Sequence, residues 1–308
     1  MRLSDFPRRI ALVVFMATGL LGRSDAAARL SLGEFEALYA EPLAPPQTPL
    51  RVYHLGHSLV GRDMPAMLAQ LAPEGHRYES QIGWGTTLKA HWDPQGTIAG
   101  FQENDPNRHR APHEALASGE YDAFVMTEMV EIRDAIRYFD SPDYARRWAM
   151  AARAGNERIR VYLYETWHAL SDPDGWLMRL DTDLHRQWEG EILRRALVAA
   201  DTDAAIYIIP AGQVMAKVVR EIEAGRISGL TNRKQLFSDD IHVNDAGAYL
   251  VALTHYAVLY HRDPTGLAYQ LNRHDGTPAE ALPPEAARRM QEIVWEVVSA
   301  MPRTGIAR

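Results

Sequence analysis

Residues 51–61 read RVYHLGHSLVG. Val52, Tyr53 and Leu55 form a short apolar, β-prone run that stops at Gly56, and His57 and Ser58 follow at once. This is the pattern of a buried strand coming to the surface, predicted over 51–55. Gly and Ser are ordinary turn residues. A serine where a strand emerges is also a candidate nucleophile, and as one it needs partners from elsewhere in the chain.

Outward from this stretch the same signal recurs. Strands are predicted over 77–82 (RYESQI), 121–126 (YDAFVM), 159–164 (IRVYLY) and 205–209 (AIYII). Helices are predicted over 63–72, 141–154, 181–200, 212–224 and 244–260, with Asp63 and Ser141 as caps of the first two. In a last helix, 285–301, Met290, Ile293, Val294, Val297, Val298 and Met301 recur at three- and four-residue steps, marking a docking face. Strands alternating with helices predict a parallel sheet covered on both faces. The loops after the strands (56–62, 83–92, 127–134, 165–180 and 210–212) should then open on one crevice at the carboxyl edge of the sheet.

The chain has 308 residues, of which 46% are hydrophobic, enough for a substantial core. A formal net charge of −7 argues against broad nucleic-acid binding. There is no cysteine, which excludes thiolate nucleophiles, disulfides and zinc-thiolate sites. Arg2, Arg8 and Arg9 precede the apolar run Ile10 to Leu21, and Ala26, Ala27 and Ala28 follow it. This tripartite pattern predicts a signal peptide over 1–28, hence a periplasmic or secreted protein without stable membrane insertion after cleavage. Residues 29–50, with Pro42, Pro45, Pro46 and Pro49, read as an extended leader wrapping a single domain over 51–308.

The partners for Ser58 lie in LFSDDIHVNDAGAYL, 236–250. Asp239-Asp240-Ile241-His242 is a D-x-x-H spacing just before a helix. On a turn it lets Asp239 accept from His242 Nδ1–H and leaves Nε2 to face Ser58. Asp240 is the alternative acid. Asn244 and Asp245 are expected to cap the following helix.

Gly56-His57-Ser58-Leu59 after a first strand, with Asp239-x-x-His242 near the end, resembles the SGNH (GDSL-type) hydrolase family over roughly residues 50–260. His57 stands where that family usually has Asp. The resemblance implies a three-layer α/β/α sandwich with a five-stranded parallel sheet, a flavodoxin-like SGNH hydrolase fold. It also implies Ser58 as nucleophile, His242 as base and Asp239 as the orienting acid. The Ser58 N–H, at an expected helix start, and a glycine after the second strand should face the oxyanion: Gly85, with Gly83 the alternative. The family's further donor is an Asn after the third strand. Here the chain reads Met126-Thr127-Glu128-Met129, so the Thr127 hydroxyl is the remaining candidate. An ionised Glu128 would oppose an oxyanion unless protonated or turned away.

Trp84, Trp92, Trp167 and Trp176 fall in or beside crevice loops and are expected to rim the site. His57, Trp84, Glu128 and Trp167 are the expected substrate contacts. His54 and His57 have metal-like spacing, but strand alternation sends them to opposite faces, and no metal or other cofactor is expected. The expected function is a secreted serine esterase acting on a small acyl ester, above all acetyl, carried by a small molecule or a glycan. The alternatives are a lipase or thioesterase of the same fold, a non-catalytic glycan-binding protein, and a metal-dependent hydrolase.

Overall fold

The computed structural model describes residues 28–198 and 204–307. The segment read as a signal peptide lies outside them apart from Ala28. Five strands, β1 (Arg51–His57), β2 (Arg77–Gly83), β3 (Ala123–Met126), β4 (Arg160–Glu165) and β5 (Tyr207–Pro210), pair in parallel in the order β2-β1-β3-β4-β5. Their inner residues are almost all buried, as strands covered on both faces must be. The strand pattern locates all five, but β1 runs two residues further than expected. Gly56 and His57 continue the ladder opposite Ile82 and Gly83. Gly56 is needed there: a Cβ would stand 2.5 Å from Thr127 Cγ2 and 2.9 Å from Val60 Cγ2, so a side chain would push β1 off the end of β3.

Helices cover both faces. On one side α2 (Asp63–Leu71), α9 (Ala211–Glu223), α10 (Asp245–Tyr260) and α11 (Pro284–Ala300) pack together. On the other side α6 (Ser141–Gly155) packs with α3 (Leu88–Trp92), α4 (Pro112–Ala117) and α5 (Ile132–Tyr138). It also packs against the end of a long helix made of α7 (Trp176–Asp183), a π-helical stretch (Leu184–Leu193) and α8 (Arg194–Val198). The short helices α3, α4 and α5 carry too few apolar repeats to be read from sequence. The apolar stripe of α11, including Met290, Ile293, Val294 and Val298, is buried as an amphipathic docking face should be.

The leader contains a short helix, α1 (Leu32–Ala37), closed by a reciprocal capping box between Ser31 and Glu34. Beyond it, Tyr39 donates to the Ile206 carbonyl (2.7 Å) and Leu43 N–H to Gly305 O (2.8 Å), tying the leader beside β5. Two expected caps act otherwise. Asp63 is the first residue of α2 and bonds His274 instead, and the Ser141 side chain is buried without a partner among the described residues. No described helix is long and apolar enough to cross a membrane.

The chain runs from β1 to β2 on one side and returns to β3 on the other. The strand order therefore reverses between β1 and β3, which is where ligands bind in open α/β sheets. Ser58 leaves the end of β1 at this point.

Candidate active site

Ser58 sits in a tight turn closed by Val60 N–H to His57 O (2.9 Å), and Gly61 takes a left-handed φ of +59° to complete it. The helix begins only at Asp63, so Ser58 is not at a helix start as expected. Tyr164 on β4 donates its hydroxyl to Leu59 O (3.1 Å), anchoring the turn to the sheet.

The second segment arrives from the loop before α10. Asp239 Oδ1 accepts the N–H groups of Ile241 (2.8 Å) and His242 (2.7 Å), folding 239–242 into a side-chain-closed turn. Its other oxygen, Oδ2, stands 2.7 Å from His242 Nδ1, and His242 Nε2 stands 2.9 Å from Ser58 Oγ. Burial raises the pKa of Asp239, but the two backbone N–H groups and the His242 ring outweigh it and hold the carboxyl down at about 2. Asp239 therefore stays ionised and fixes Nδ1 as the protonated nitrogen, which leaves Nε2 as acceptor toward the Ser58 hydroxyl. Asp240 points elsewhere, to the Ser171 hydroxyl and N–H, and its carbonyl takes Leu170 N–H (2.7 Å). Asn244 caps α10 through Gly247 N–H (3.2 Å), as its place before the helix predicts.

Of the four expected tryptophans, Trp84 alone is exposed, at 55%. It follows Gly83, the residue paired with His57, so it leaves the sheet beside Ser58. Its ring packs on Gly100, where a Cβ would come within 2.4 Å of it. Trp167 does not rim the crevice. It is fully buried, and its indole N–H donates to Ile241 O (2.8 Å), bracing the turn between Asp239 and His242. Trp176 is buried too, with its indole N–H on His168 O, and Trp92 packs against Trp148. Loops that carry Trp across a sheet edge need apolar filling beneath them, and the indoles supply it.

Two more expected contacts are corrected by burial. His57 is buried, with Nε2 donating to Glu128 O (2.8 Å) and Nδ1 accepting Leu59 N–H (3.3 Å). Desolvation lowers its pKa to about 4, so it is a neutral brace. Glu128 is fully buried and turned inward to the N–H groups of Met129 (2.8 Å) and Leu88 (3.3 Å). Thr127 is not an available donor either, because its hydroxyl is given to Tyr164 O (2.8 Å). By contrast, the N–H groups of Ser58 and Gly85 make no hydrogen bond among the described residues. Gly85 holds φ at +52°, and Gly83 continues the strand. His91 donates from Nε2 to Gly56 O (2.8 Å) and accepts from Gln81, a support for the β1 end that sequence reading missed.

No protein-family model and no curated protein matches this chain. Among solved structures it is similar to a DUF4886 family protein from Bacteroides uniformis: 16% identity over 82% of this chain and 95% of that one, with a TM-score of 0.51. Weaker likenesses are to protein YxiM of Bacillus subtilis (14% identity, 68% of this chain, 55% of that one, TM-score 0.45) and to a carbohydrate esterase family 3 protein from Talaromyces cellulolyticus (13%, 69%, 97%, TM-score 0.36). At such identities the first likeness is one of fold. The chain is an α/β protein with a five-stranded parallel sheet in the flavodoxin-like strand order and helices on both sides.

Proposed function

We propose that this chain is an exported serine esterase of the SGNH type that hydrolyses a small acyl ester through an acyl-enzyme. The observation that carries the reading is the continuous line Ser58 Oγ, His242 Nε2 (2.9 Å), His242 Nδ1, Asp239 Oδ2 (2.7 Å). Ser58 Oγ attacks the ester carbonyl while His242 Nε2 takes its proton, and ionised Asp239 stabilises the imidazolium. The N–H groups of Ser58 and Gly85 face the oxyanion. Collapse of the tetrahedral intermediate breaks the bond to the alcohol oxygen, which leaves with the proton from His242. Water then attacks the acyl carbon with His242 again as base, releasing the acid and restoring Ser58.

Trp84 supports a carbohydrate as carrier of the acyl group. An indole with one face locked on Gly100 offers the other to the C–H face of a sugar. The Arg62–Glu103 pair (2.8 Å) lies on the segments that carry Ser58 and Gly100, with hydrogen-bonding capacity for hydroxyls. Acetyl is the favoured acyl group, and a periplasmic or secreted location rests on the N-terminal pattern.

A fluorophosphonate probe and p-nitrophenyl acetate test this. Labelling at Ser58 with ester turnover, both lost in Ser58→Ala, is the expected result. Trp84→Ala should lower kcat/KM for an acetylated oligosaccharide by about 10-fold and for p-nitrophenyl acetate by much less. Sugar binding without label or turnover would make the chain a glycan-binding protein instead.

A further inference from the structure

Glu128 has no part in the chemistry above, yet it joins three of the segments that build the site. Its Oε1 holds the N–H of Leu88, the first residue of α3, and its own carbonyl holds the His57 ring. Leu88 is gripped a second time, because its carbonyl accepts the Trp148 indole N–H (3.0 Å). Gly85 lies only three residues before Leu88, so the orientation of its N–H depends on how firmly α3 begins.

Among the described residues the second carboxyl oxygen, Oε2, is buried with no hydrogen-bond partner, and so is Ser141 Oγ, which lies near enough to influence Glu128. A buried carboxylate with a bare oxygen is costly. A neutral acid fits better: Oε2–H donates to Ser141 Oγ while Oε1 still accepts from Leu88 and Met129. The surroundings agree. Burial pushes Glu128 up to about 7; the Met129 amide, Ser141 and the Leu88 amide oppose it, and no charged side chain among the described residues acts on it. From β1 it faces His57, and His91 of α3 is bonded to Gly56 O; burial keeps both rings neutral. Lys89 of α3 and Asp140 before α6 pair with each other at the surface (2.8 Å).

We propose that Glu128 is a positioning residue for the oxyanion loop and works as the neutral acid: it clamps the start of α3, and so Gly85, without adding a charge that would oppose the oxyanion. This rests on the esterase reading. As Glu128 ionises, its charge works against the developing oxyanion and turnover falls.

The test compares wild type, Glu128→Gln and Glu128→Ala with p-nitrophenyl acetate from pH 6 to 8.5, alongside fluorophosphonate labelling and amide hydrogen exchange over 84–90. Glutamine mimics the neutral acid, accepting through Oε1 and donating to Ser141. Its kcat should stay within about 2-fold of wild type at pH 6, and the Gln to wild-type ratio should climb about 10-fold by pH 8.5 with little change in KM. The ratio cancels any pH dependence common to both proteins. Alanine should lose roughly 10- to 100-fold in kcat and speed exchange over 84–90; if it unfolds, the Gln ratio decides alone. An active wild type with a flat ratio overturns this proposal and leaves the esterase reading standing. A wild type that neither labels at Ser58 nor turns over overturns both.

Discussion

Asp239 does two jobs with two oxygens. Oδ1 closes the backbone turn through two N–H groups, and Oδ2 orients His242. Asp239→Asn can keep the first job by presenting its amide oxygen to the backbone, but its NH2 then faces Nδ1 and demands the wrong tautomer. The fold should survive while kcat drops roughly 10³- to 10⁴-fold, measured by ester turnover beside an unchanged circular dichroism spectrum. Asp240→Ala should leave kcat within a few-fold, since Asp240 bonds the Ser171 loop and not the imidazole. Equal losses in the two variants would refute this division of roles. The spacing D-x-x-H was legible because three residues of a turn bring a carboxylate onto an imidazole. Which of two adjacent aspartates does so depends on where the next loop passes, and a D-D pair by itself does not contain that.

Among the elements, the close approach of β1 and β3 is the most constrained. Gly56→Ala places a methyl against Thr127 Cγ2 at 2.5 Å, and backbone hydrogen bonds on both strands resist separation. A loss of roughly 2–3 kcal/mol in unfolding free energy is expected, and adding Thr127→Ser, which deletes that methyl, should recover part of it. Urea midpoints of the four proteins in the cycle give the coupling; strict additivity would count against this contact as the cause. The strands themselves were readable from their continuous apolar runs. The extra two residues of β1 were not, because Gly56 and His57 carry no strand signal and join the ladder only because Ile82 and Gly83 lie alongside.

At the level of the whole molecule, burial sets an opposed pair of titrations. Desolvation drives His57, His76, His91, His255 and His261 down to about 4, and His54 well below its ordinary value. Between about pH 6.5 and 4 the unfolded chain binds protons these rings refuse, so each contributes a loss of stability as pH falls, about 1.4 kcal/mol per pH unit. Glu128 and Glu165 are pushed by burial the other way, to about 7 and about 8. They ionise in the unfolded chain first, so stability falls as pH rises from about 4.5 toward 8. Six histidines outweigh two glutamates through about pH 6.5, and well above it the glutamates prevail. The maximum should therefore lie at about pH 7. Melting temperatures at pH 5, 6.5 and 8.5 check this, and a rise on going from 6.5 to 5 would contradict it.

By itself the sequence determined the alternation of strands and helices, hence the parallel sheet, and it marked the two short segments that meet over Ser58. Both are local matters: apolar runs must be buried, and a turn of a given spacing has few conformations. Tertiary structure alone decided the surroundings. It buried Trp167 under the histidine turn, spent the Thr127 hydroxyl on a neighbouring strand, and turned Glu128 inward beneath the oxyanion loop. Whether a side chain faces ligand or interior depends on what packs over it from distant parts of the chain, and no window of sequence contains that packing.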